Sequence, residues 1–417
     1  MTVNMTNIEG GGVTAAKGFK AGGIHAGFRK DPNRFDLAMV EADELCTAAG
    51  VFTQNVFCAP CVTFSKSQLG SGNAGVARAV VINSGVANAA TGTRGLEDAA
   101  RTAQIAADVV GCAAEDVLIA STGVIGVFLP MEPFETGIPV LHEKVSVQGG
   151  NDAARAIMTT DTVSKEVAFS YVSAAPGYEG CTFTVGGMSK GSGMIMPNMA
   201  TMIAVLTTDA PLTPQAAHSA LVAAVNESFN KITVDGDTST NDTCLLMASG
   251  KAAPGAPSIA DVESAAYAEF AEVLKTVCVT LAKIMAADGE GASKLVTVQI
   301  EGAASDEDAD LAARTVANSP LVKTAVAGHD ANWGRIAGAL GRSGASFKQE
   351  DVDIDIMGLP VCRKGMSVAF DEDEALRRFE ADEIVLYCNL HAGECSTTMW
   401  TCDFTHDYIT INGDYRT

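Results

Sequence analysis

Hydrophobic and polar positions in the first half of the chain alternate between the patterns of strands and helices. Residues 78–84 form a short apolar run that predicts a buried strand, and residues 96–110 have a helical spacing that ends at Gly111. Residues 117–120 predict a second strand, which runs into the segment 121–126. A strand that ends in such a Thr-Gly turn presents backbone N–H groups to whatever lies beyond it.

The second half of the chain continues this succession of helix and strand patterns. Cap and first-turn proline preferences predict a helix over 213–229, and apolar spacing predicts a longer helix over 261–287. Residues 294–300 alternate like a strand with one buried face, which places Glu290 in a glycine-flanked loop. The last predicted elements are two strand-like runs, 383–389 and 397–411. Together these elements predict a mixed α/β protein.

Composition supports a large globular protein. Its 417 residues, of which 47% are hydrophobic and 19% charged, are enough for two or three domains and a sizeable core. A formal charge of −22 would repel phosphate-rich surfaces, so nucleic acid is not an expected partner. The N-terminus lacks a basic region followed by an apolar one, and no run of about 18 apolar residues occurs. We therefore expect a soluble, cytoplasmic protein without a membrane partner.

The cysteines do not suggest a disulfide framework or a metal site. Eleven of them are scattered along a long chain with no export signal, which favours reduced thiols. Cys58-Ala-Pro-Cys61 has the spacing of a redox or zinc half-site, and Cys388, His391, Cys395 and Cys402 lie close in sequence. The second half-site at ordinary zinc spacing is missing, so buried thiols without metal are expected.

Other common motifs are weak in this sequence. Three glycine-rich stretches, 10–12, 187–193 and 289–294, invite a phosphate-binding interpretation. None of them matches a P-loop or a strand-linked dinucleotide fingerprint, so turns and close packing are favoured. A Ser-His-Asp triad is also poorly supported, because the sequence has no G-x-S-x-G elbow.

The segment 190–210 is unusual because it places a glycine turn, four methionines and the pair Ala200-Thr201 ahead of an apolar run. A threonine hydroxyl is a poor nucleophile without a base, but a chain-terminal threonine can use its own α-amine, whose pKa is about 7.7 to 8.0. Thr201 reaches that state only by attacking the carbonyl of Ala200 and cleaving the bond between them. The structural alternative is that residues 194–206 form an interrupted core strand.

Residues 190–202, Lys-Gly-Ser-Gly-Met-Ile-Met-Pro-Asn-Met-Ala-Thr-Met, resemble the signature of the ornithine acetyltransferase family, also called glutamate N-acetyltransferase. In that family the signature marks the self-cleavage point of the precursor. Other landmarks match in family order at 12–19, 49–55, 121–126, 158–162, 288–294, 332–335 and 415–417. The chain departs from the family pattern at Val86 and Ala90, where asparagine and cysteine are expected, and at His329.

The resemblance implies a fold and a chain organisation. The fold would be α/β, with mixed sheets packed with helices as a DmpA/ArgJ-like sandwich and a second, smaller α/β domain. Self-cleavage would give an alpha chain of residues 1–200 and a beta chain of residues 201–417, and two copies of each would associate. The boundary between the structural domains is expected near residue 290.

The resemblance also implies a reaction, a cofactor-free transfer of an acetyl group from N2-acetylornithine to L-glutamate in arginine biosynthesis. Thr201 would carry the acetyl group as an ester, and Thr122 and Gly123 would stabilise the oxyanion. The substrate contacts would be Thr162 (or Thr160), Lys190, Thr201, Glu290, Asn412 and Thr417. Family members differ in whether they also accept acetyl-CoA, and no residue here distinguishes the two cases.

These assignments suit the charges of the substrates. Lys190 is a partner for the α-carboxylate that both substrates carry, and Glu290 or the terminal carboxylate of Thr417 is a partner for the δ-ammonium of ornithine. Each residue has a structural alternative: a solvated loop charge for Lys190 and Glu290, a turn former for Asn412, a helix cap for Thr162. Two other functions stay open. One is a related amidase or aminopeptidase that has the same N-terminal threonine nucleophile and hydrolyses rather than transfers, and the other is a non-catalytic binding or scaffold protein that remains one chain.

Overall fold

The computed structural model describes residues 3–196 and 202–414. The predictions that concern Ala200, Thr201 and Thr417 therefore lie outside the described residues.

A mixed sheet dominates the N-terminal part of the chain and has nine strands within the described residues. They are β1 (Met5–Asn7), β2 (Phe19–Ile24), β3 (Leu37–Phe52), β4 (Ala74–Val86), β5 (Val117–Val124), β6 (Lys165–Val172), β7 (Thr182–Lys190), β8 (Ile203–Thr208) and β9 (Thr243–Ala248). The order is β1-β6-β7-β8-β9-β3-β4-β5, and β2 pairs with β3. The β4–β5 and β8–β9 pairs are parallel and the others are antiparallel.

Helices cover both faces of this sheet. They are α1 (Pro60–Leu69), α2 (Gly92–Val110), α3 (Glu132–His142), α4 (Gly150–Ala156), α5 (Pro214–Asn226) and α6 (Ala265–Ala287). In β8, Val205 packs into the core shared with α1 to α4, whereas Ala204 and Leu206 pack into the core shared with α5 and α6. A strand covered on both faces reads as a continuous apolar run, which explains why β8 shows no alternation in the sequence.

A second mixed sheet follows α6. Its strands are β10 (Leu295–Ala303), β11 (Asp353–Ile356), β12 (Leu359–Arg363), β13 (Met366–Ser367), β14 (Glu383–Asn389) and β15 (Cys395–Cys402), in the order β13-β12-β11-β14-β10-β15. Its helices are α7 (Asp306–Ala317), α8 (Pro320–Ala327), α9 (Trp333–Gly341), α10 (Glu372–Arg378) and α11 (His406–Asp414). A separate core of residues from these strands and from α7 to α9 lies on this sheet.

The predicted elements are largely confirmed. The strand at 78–84 lies within β4, the strand at 117–120 within β5, and the helix at 96–110 within α2. Gly111 ends α2 in the left-handed region at φ +78°, and its N–H donates to the carbonyl of Ala107 at 2.8 Å. The longer helix predicted from residue 261 begins later, because the Ser264 side chain caps α6 by accepting from the Tyr267 N–H.

The predicted strand at 397–411 is wrong in its second half. β15 ends at Cys402 and α11 begins at His406. The hydroxyl of Thr405 accepts from the Asp407 N–H at 3.2 Å, which starts a helical turn, and Tyr408 then stacks on Phe404 with ring centroids 4.6 Å apart. Alternating apolar residues in this segment imitate a strand, but a local side-chain hydrogen bond directs the backbone into a helix.

The mixed α/β class, with sheets packed against helices, is confirmed. The change from the first sheet to the second falls between α6 and β10, and the expected domain boundary near residue 290 stays a prediction. The second, smaller domain and the division into chains 1–200 and 201–417 stay predictions. None of the helices within residues 3–196 and 202–414 combines the length and apolar character that crossing a membrane requires.

The cysteines all lie within the described residues and all are free thiols. Cys61 is buried, and burial raises the pKa of its thiol to about 11. Cys388 and Cys402 are also buried, whereas Cys58 and Cys395 are partly exposed. Across the described part of the chain, no group of three or more His, Cys, Asp or Glu side chains is arranged to hold a metal ion.

Candidate active site

A cavity of about 130 Å³ lies where the ends of β5 and β7 meet the loop after α6 and the helix α11. Thr122, Gly123, Lys190, Glu290 and Asn412, all predicted from the sequence, line it. The other walls are Ala87, Ile125, Thr159, Thr160, Gly193, Met194, Ser239, Thr240 and Asn241. The fold therefore brings together predicted residues that are widely separated along the chain.

A larger cavity of about 700 Å³ lies elsewhere, against β10, β15 and the start of α7. Its polar walls include Lys231, Asp310 and Thr397, which already bond one another at 2.5 to 2.9 Å. Volume alone would favour this cavity as a binding site. However, these three side chains already form hydrogen bonds with one another, and none of the residues that line the cavity is a predicted site residue. We place the candidate active site in the smaller cavity because it is walled by buried charged groups.

Curvature of the first sheet assembles the site. Thr122 on β5 and Lys190 on β7 have β8, β9, β3 and β4 between them in the sheet order. In a flat sheet these five steps would separate them by about 24 Å, since neighbouring strands lie ~4.8 Å apart. Their side chains instead meet, and the Lys190 Nζ donates to the Thr122 Oγ1 at 3.5 Å. The sheet curls far enough for β5 and β7 to face one another across the cavity.

Thr122 and Gly123 lie in the irregular end of β5 rather than in a turn after it. The strand continues to Val124, and its parallel pairing with β4 shifts register at Gly85. Gly123 has φ +131°, and a Cβ there would lie 2.3 Å from the carbonyl carbon of Gly85. Only glycine fits this conformation and this spacing, so the two strands approach closely beside the cavity.

Lys190 is buried at the end of β7, with 2% of its surface exposed. The interpretation of this residue as a solvated loop charge is therefore wrong. Within the described part of the chain, no carboxylate oxygen lies at ion-pair distance from its ammonium. Burial lowers the pKa of Lys190, and the negative charge of Asp161 opposes that shift. A buried ammonium without a close carboxylate is suited to bind an anionic ligand.

Glu290 is also buried, and α11 supplies its partner. The Asn412 Nδ2 donates to the Glu290 Oε2 at 2.8 Å. Gly291 lets the helix approach this loop, because its φ is +71° and a Cβ there would lie 2.5 Å from the Tyr408 nitrogen. The hydroxyl of Thr405 donates to the Gly291 carbonyl at 2.6 Å and holds the start of α11 against the loop. Neither Glu290 nor Asn412 is therefore an isolated loop residue.

The threonines of the segment 159–162 face different ways. Thr160 lines the cavity, as does Thr159. The backbone N–H of Thr162 donates to the Asp288 carboxylate at 3.1 Å, and the Thr162 hydroxyl donates to the same group. That carboxylate also accepts from the Lys165 Nζ at 2.5 Å. The geometry favours Thr160 over Thr162 as the threonine that contacts a ligand, and the binding role of either stays a prediction.

Two aspartates anchor the described residues on each side of segment 197–201. The Asp235 carboxylate accepts from the Met194 N–H at 2.6 Å, where Met194 has φ +56°. The Asp242 carboxylate accepts from the Met202 N–H at 2.9 Å. Burial raises the pKa of both aspartates. A residue such as Met194 in the left-handed region costs roughly 1–2 kcal/mol, so the surrounding contacts must hold this conformation.

Sequence reasoning missed Asp235, Asp242 and Asn241. Asn241 lines the cavity, and its Nδ2 donates to the carbonyls of Ala87 and Ser121 at 2.5 and 2.8 Å. All three belong to the polar stretch 235–243, whose composition indicates a loop and nothing more. Their partners lie about 40 or more residues away in sequence, and no local pattern points to such contacts.

Known proteins resemble the chain over nearly its whole length. The sequence model of the ArgJ family matches residues 20–417. The arginine biosynthesis bifunctional protein ArgJ of Symbiobacterium thermophilum is 49% identical over 408 residues, which cover 98% of this chain and 99% of that protein. The protein of the same name from Dehalococcoides mccartyi is 45% identical over 411 residues, covering 98% of each chain.

Solved structures are similar over about half of the chain. A crystal structure of ArgJ from Bacillus halodurans is 43% identical, has a TM-score of 0.48 and covers 50% of this chain and 97% of that one. A structure of an ornithine acetyltransferase from Mycobacterium tuberculosis, in complex with ornithine, is 35% identical, has a TM-score of 0.41 and covers 46% of this chain and 98% of that one.

Proposed function

The chain belongs to the ArgJ family, and on this premise we propose that it transfers an acetyl group from N2-acetylornithine to L-glutamate through an ester on Thr201. It is an acetyltransferase of arginine biosynthesis. The observation that carries the finer proposal is the cavity itself, in which a buried ammonium and a buried carboxylate share one small space with several hydroxyls.

The charges in the cavity suit both amino acids. N2-acetylornithine and glutamate each carry an α-carboxylate, which the Lys190 ammonium would bind in a site of low dielectric where charge-assisted hydrogen bonds are strong. Glu290 would face the δ-ammonium of ornithine. Asn412 donates to the Glu290 carboxylate, so it would keep that group oriented while the charge of the ligand changes between the two half-reactions.

The proposed chemistry needs self-cleavage between Ala200 and Thr201, which frees the α-amine of Thr201. That amine would accept the hydroxyl proton as the Thr201 oxygen attacks the acetyl carbonyl. Thr122 and Gly123 would stabilise the developing oxyanion, and such donors are each worth roughly 3–4 kcal/mol. The N2 amine of ornithine then leaves with the proton. In the second half-reaction the α-amine of glutamate attacks the ester and restores the free hydroxyl.

The remaining parts of the proposal follow from the family resemblance. We include acetyl-CoA as a second acetyl donor, a heterotetramer of two alpha and two beta chains, and a cytoplasmic location. The rival function is a hydrolase that uses the same nucleophile and passes the acetyl group to water. A buried lysine and a buried glutamate in one cavity favour an amino-acid acceptor over water.

A substrate-mixing experiment tests the transfer. Without glutamate, the purified protein should release at most one ornithine per active site from N2-acetylornithine, because the acetyl ester on Thr201 then has no amine acceptor. With glutamate, it should turn over repeatedly and form one N-acetylglutamate per ornithine. Mass spectrometry of both products measures this ratio. Ornithine release at the same rate without glutamate would establish the hydrolase instead, and release in neither mixture would reject the proposed function.

The two threonines of the cavity segment should respond differently to loss of their hydroxyl groups. Thr160→Val should raise KM for N2-acetylornithine roughly 2- to 10-fold, the effect of one lost hydrogen bond, with little change in melting temperature. Thr162→Val should lower the free energy of unfolding by about 1 kcal/mol and leave KM near wild type, because its hydroxyl bonds Asp288. Steady-state kinetics and thermal melts of both variants measure this, and the reverse pattern would restore Thr162 as the ligand contact.

A further inference from the structure

Asp161 is a buried carboxylate that connects two walls of the cavity. One of its oxygens accepts from the Gly191 N–H at 2.7 Å, and Gly191 directly follows Lys190. Its other oxygen accepts from the Thr159 N–H at 2.8 Å, beside the cavity-lining Thr160. The carboxylate therefore fixes the backbone on both sides of the space where a substrate carboxylate would lie.

Asp161 also belongs to a chain of buried charges. Lys165 has no exposed side-chain surface, and its Nζ donates to Asp161 at 2.7 Å and to Asp288 at 2.5 Å. Burial alone would raise the pKa of Asp161, but the charges of Lys190 and Lys165 outweigh burial and lower it well below its usual value. Asp161 is therefore a carboxylate at neutral pH, with one paired lysine and with Lys190 beyond ion-pair distance.

We propose that Asp161 is a positioning residue for acetyl transfer, which holds the Lys190 ammonium aimed at the substrate carboxylate by fixing Gly191 and the segment that carries Thr160. The inference rests on the proposed function. Asp161 touches no reacting atom in this scheme. It acts through the backbone of Gly191 and through its negative charge at Lys190, which leaves the ammonium itself to the substrate.

Other charged groups also face Lys190 from the elements around it. The charge of Asp242 favours the protonated form of Lys190, whereas the charges of Lys165 and Arg29 disfavour it. Burial disfavours the protonated lysine most of all. Among the negative charges, Asp161 contributes the largest stabilisation of the ammonium. Removing that charge would leave Lys190 facing the cations Lys165 and Arg29 with the smaller contribution of Asp242 opposing them, so the ammonium would lose its proton at a lower pH than in the wild type.

The experiment compares Asp161→Asn with a matched buried carboxylate. Asp209 accepts from the Thr184 N–H at 2.7 Å at the opposite end of β7, where the backbone of Lys17 also bonds it. Asp161→Asn should move the alkaline limb of kcat/KM downward by roughly one pH unit or more, and lower kcat/KM about tenfold at mildly alkaline pH, mainly through KM. Asp209→Asn should leave the limb unchanged. If the alkaline limbs of kcat/KM coincide in the wild type, Asp161→Asn and Asp209→Asn, the proposal is overturned.

A second measurement keeps the inference separate from the proposed function. Trace acetylation with acetic anhydride across pH, read at Lys190 by mass spectrometry, reports the protonation of this amine without turnover. A lower midpoint in Asp161→Asn than in wild type supports the inference even if the protein transfers no acetyl group, and equal midpoints refute it. If Asp161→Asn does not fold, Asp161→Glu keeps the charge and should keep the midpoint, and a downward shift in that variant would count against the inference.

Discussion

Thr201→Ala should leave the protein as a single 42.9 kDa chain without transferase activity. The substitution removes the hydroxyl that would attack the carbonyl of Ala200, so the acyl shift and the release of a free α-amine cannot occur. The wild-type chain should instead give pieces of 200 and 217 residues. Denaturing electrophoresis separates these outcomes, and acetyl transfer should fall to background because the variant lacks both nucleophile and base.

Thr201→Ser is the matched control for this loss. Serine keeps a hydroxyl at the same position, so the chain should still cleave and keep part of its activity. Cleavage in Thr201→Ala would indicate an outside protease. Edman sequencing of active wild-type protein provides the strictest check, since a single start at the initiator end and none at position 201 would remove the proposed nucleophile. Such a result would leave the family assignment intact and reject the mechanism.

Local sequence patterns predict most of the helices and strands, because the apolar spacing and the end residues that indicate each element lie within or next to it in sequence. The run at 78–84 and the helix ending at Gly111 were readable from apolar spacing and one C-terminal glycine. The segment after Cys402 was not, since its alternating apolar residues are compatible with a strand and only the Thr405 hydrogen bond selects a helix. An element is therefore predictable where apolar spacing and its end residue agree. A segment is less predictable where a side-chain hydrogen bond competes with the structure that the apolar spacing suggests.

The site depends on contacts that no local pattern contains. The family resemblance named Glu290 and Asn412, but their hydrogen bond spans 122 residues and exists only because α11 folds back over Gly291. Asp161 and Asp242 were not singled out at all, since a buried aspartate reads in sequence like any polar loop residue. The meeting of Thr122 and Lys190 requires the curvature of a whole sheet, which is a property of packing rather than of either segment.

Lys190→Met should retain the fold and lose most of its catalytic efficiency. Methionine fills a similar volume without charge, and the Asp161 carboxylate keeps its ion pair with Lys165 at 2.7 Å, so the free energy of unfolding should change little. Loss of the ion pair with the substrate carboxylate should cost about 2–5 kcal/mol, which is roughly 30-fold to several-thousand-fold in kcat/KM and is expressed mainly in KM. Steady-state kinetics and thermal melts measure both effects.

Lys323→Met is the matched control, because Lys323 is an equally buried lysine whose ammonium forms hydrogen bonds with protein groups. Its Nζ donates to the Thr401 hydroxyl at 2.6 Å and to the Cys402 carbonyl, and it lies 4.4 Å from the centre of the Phe404 ring. Its loss leaves buried acceptors without a donor and should lower the free energy of unfolding by about 1–3 kcal/mol while kcat/KM stays close to wild type. The two variants should thus be reciprocal, one catalytically impaired and stable, the other active and destabilised. If Lys190→Met instead behaved like Lys323→Met, its ammonium would be satisfied by the protein and could not be the site of the substrate carboxylate.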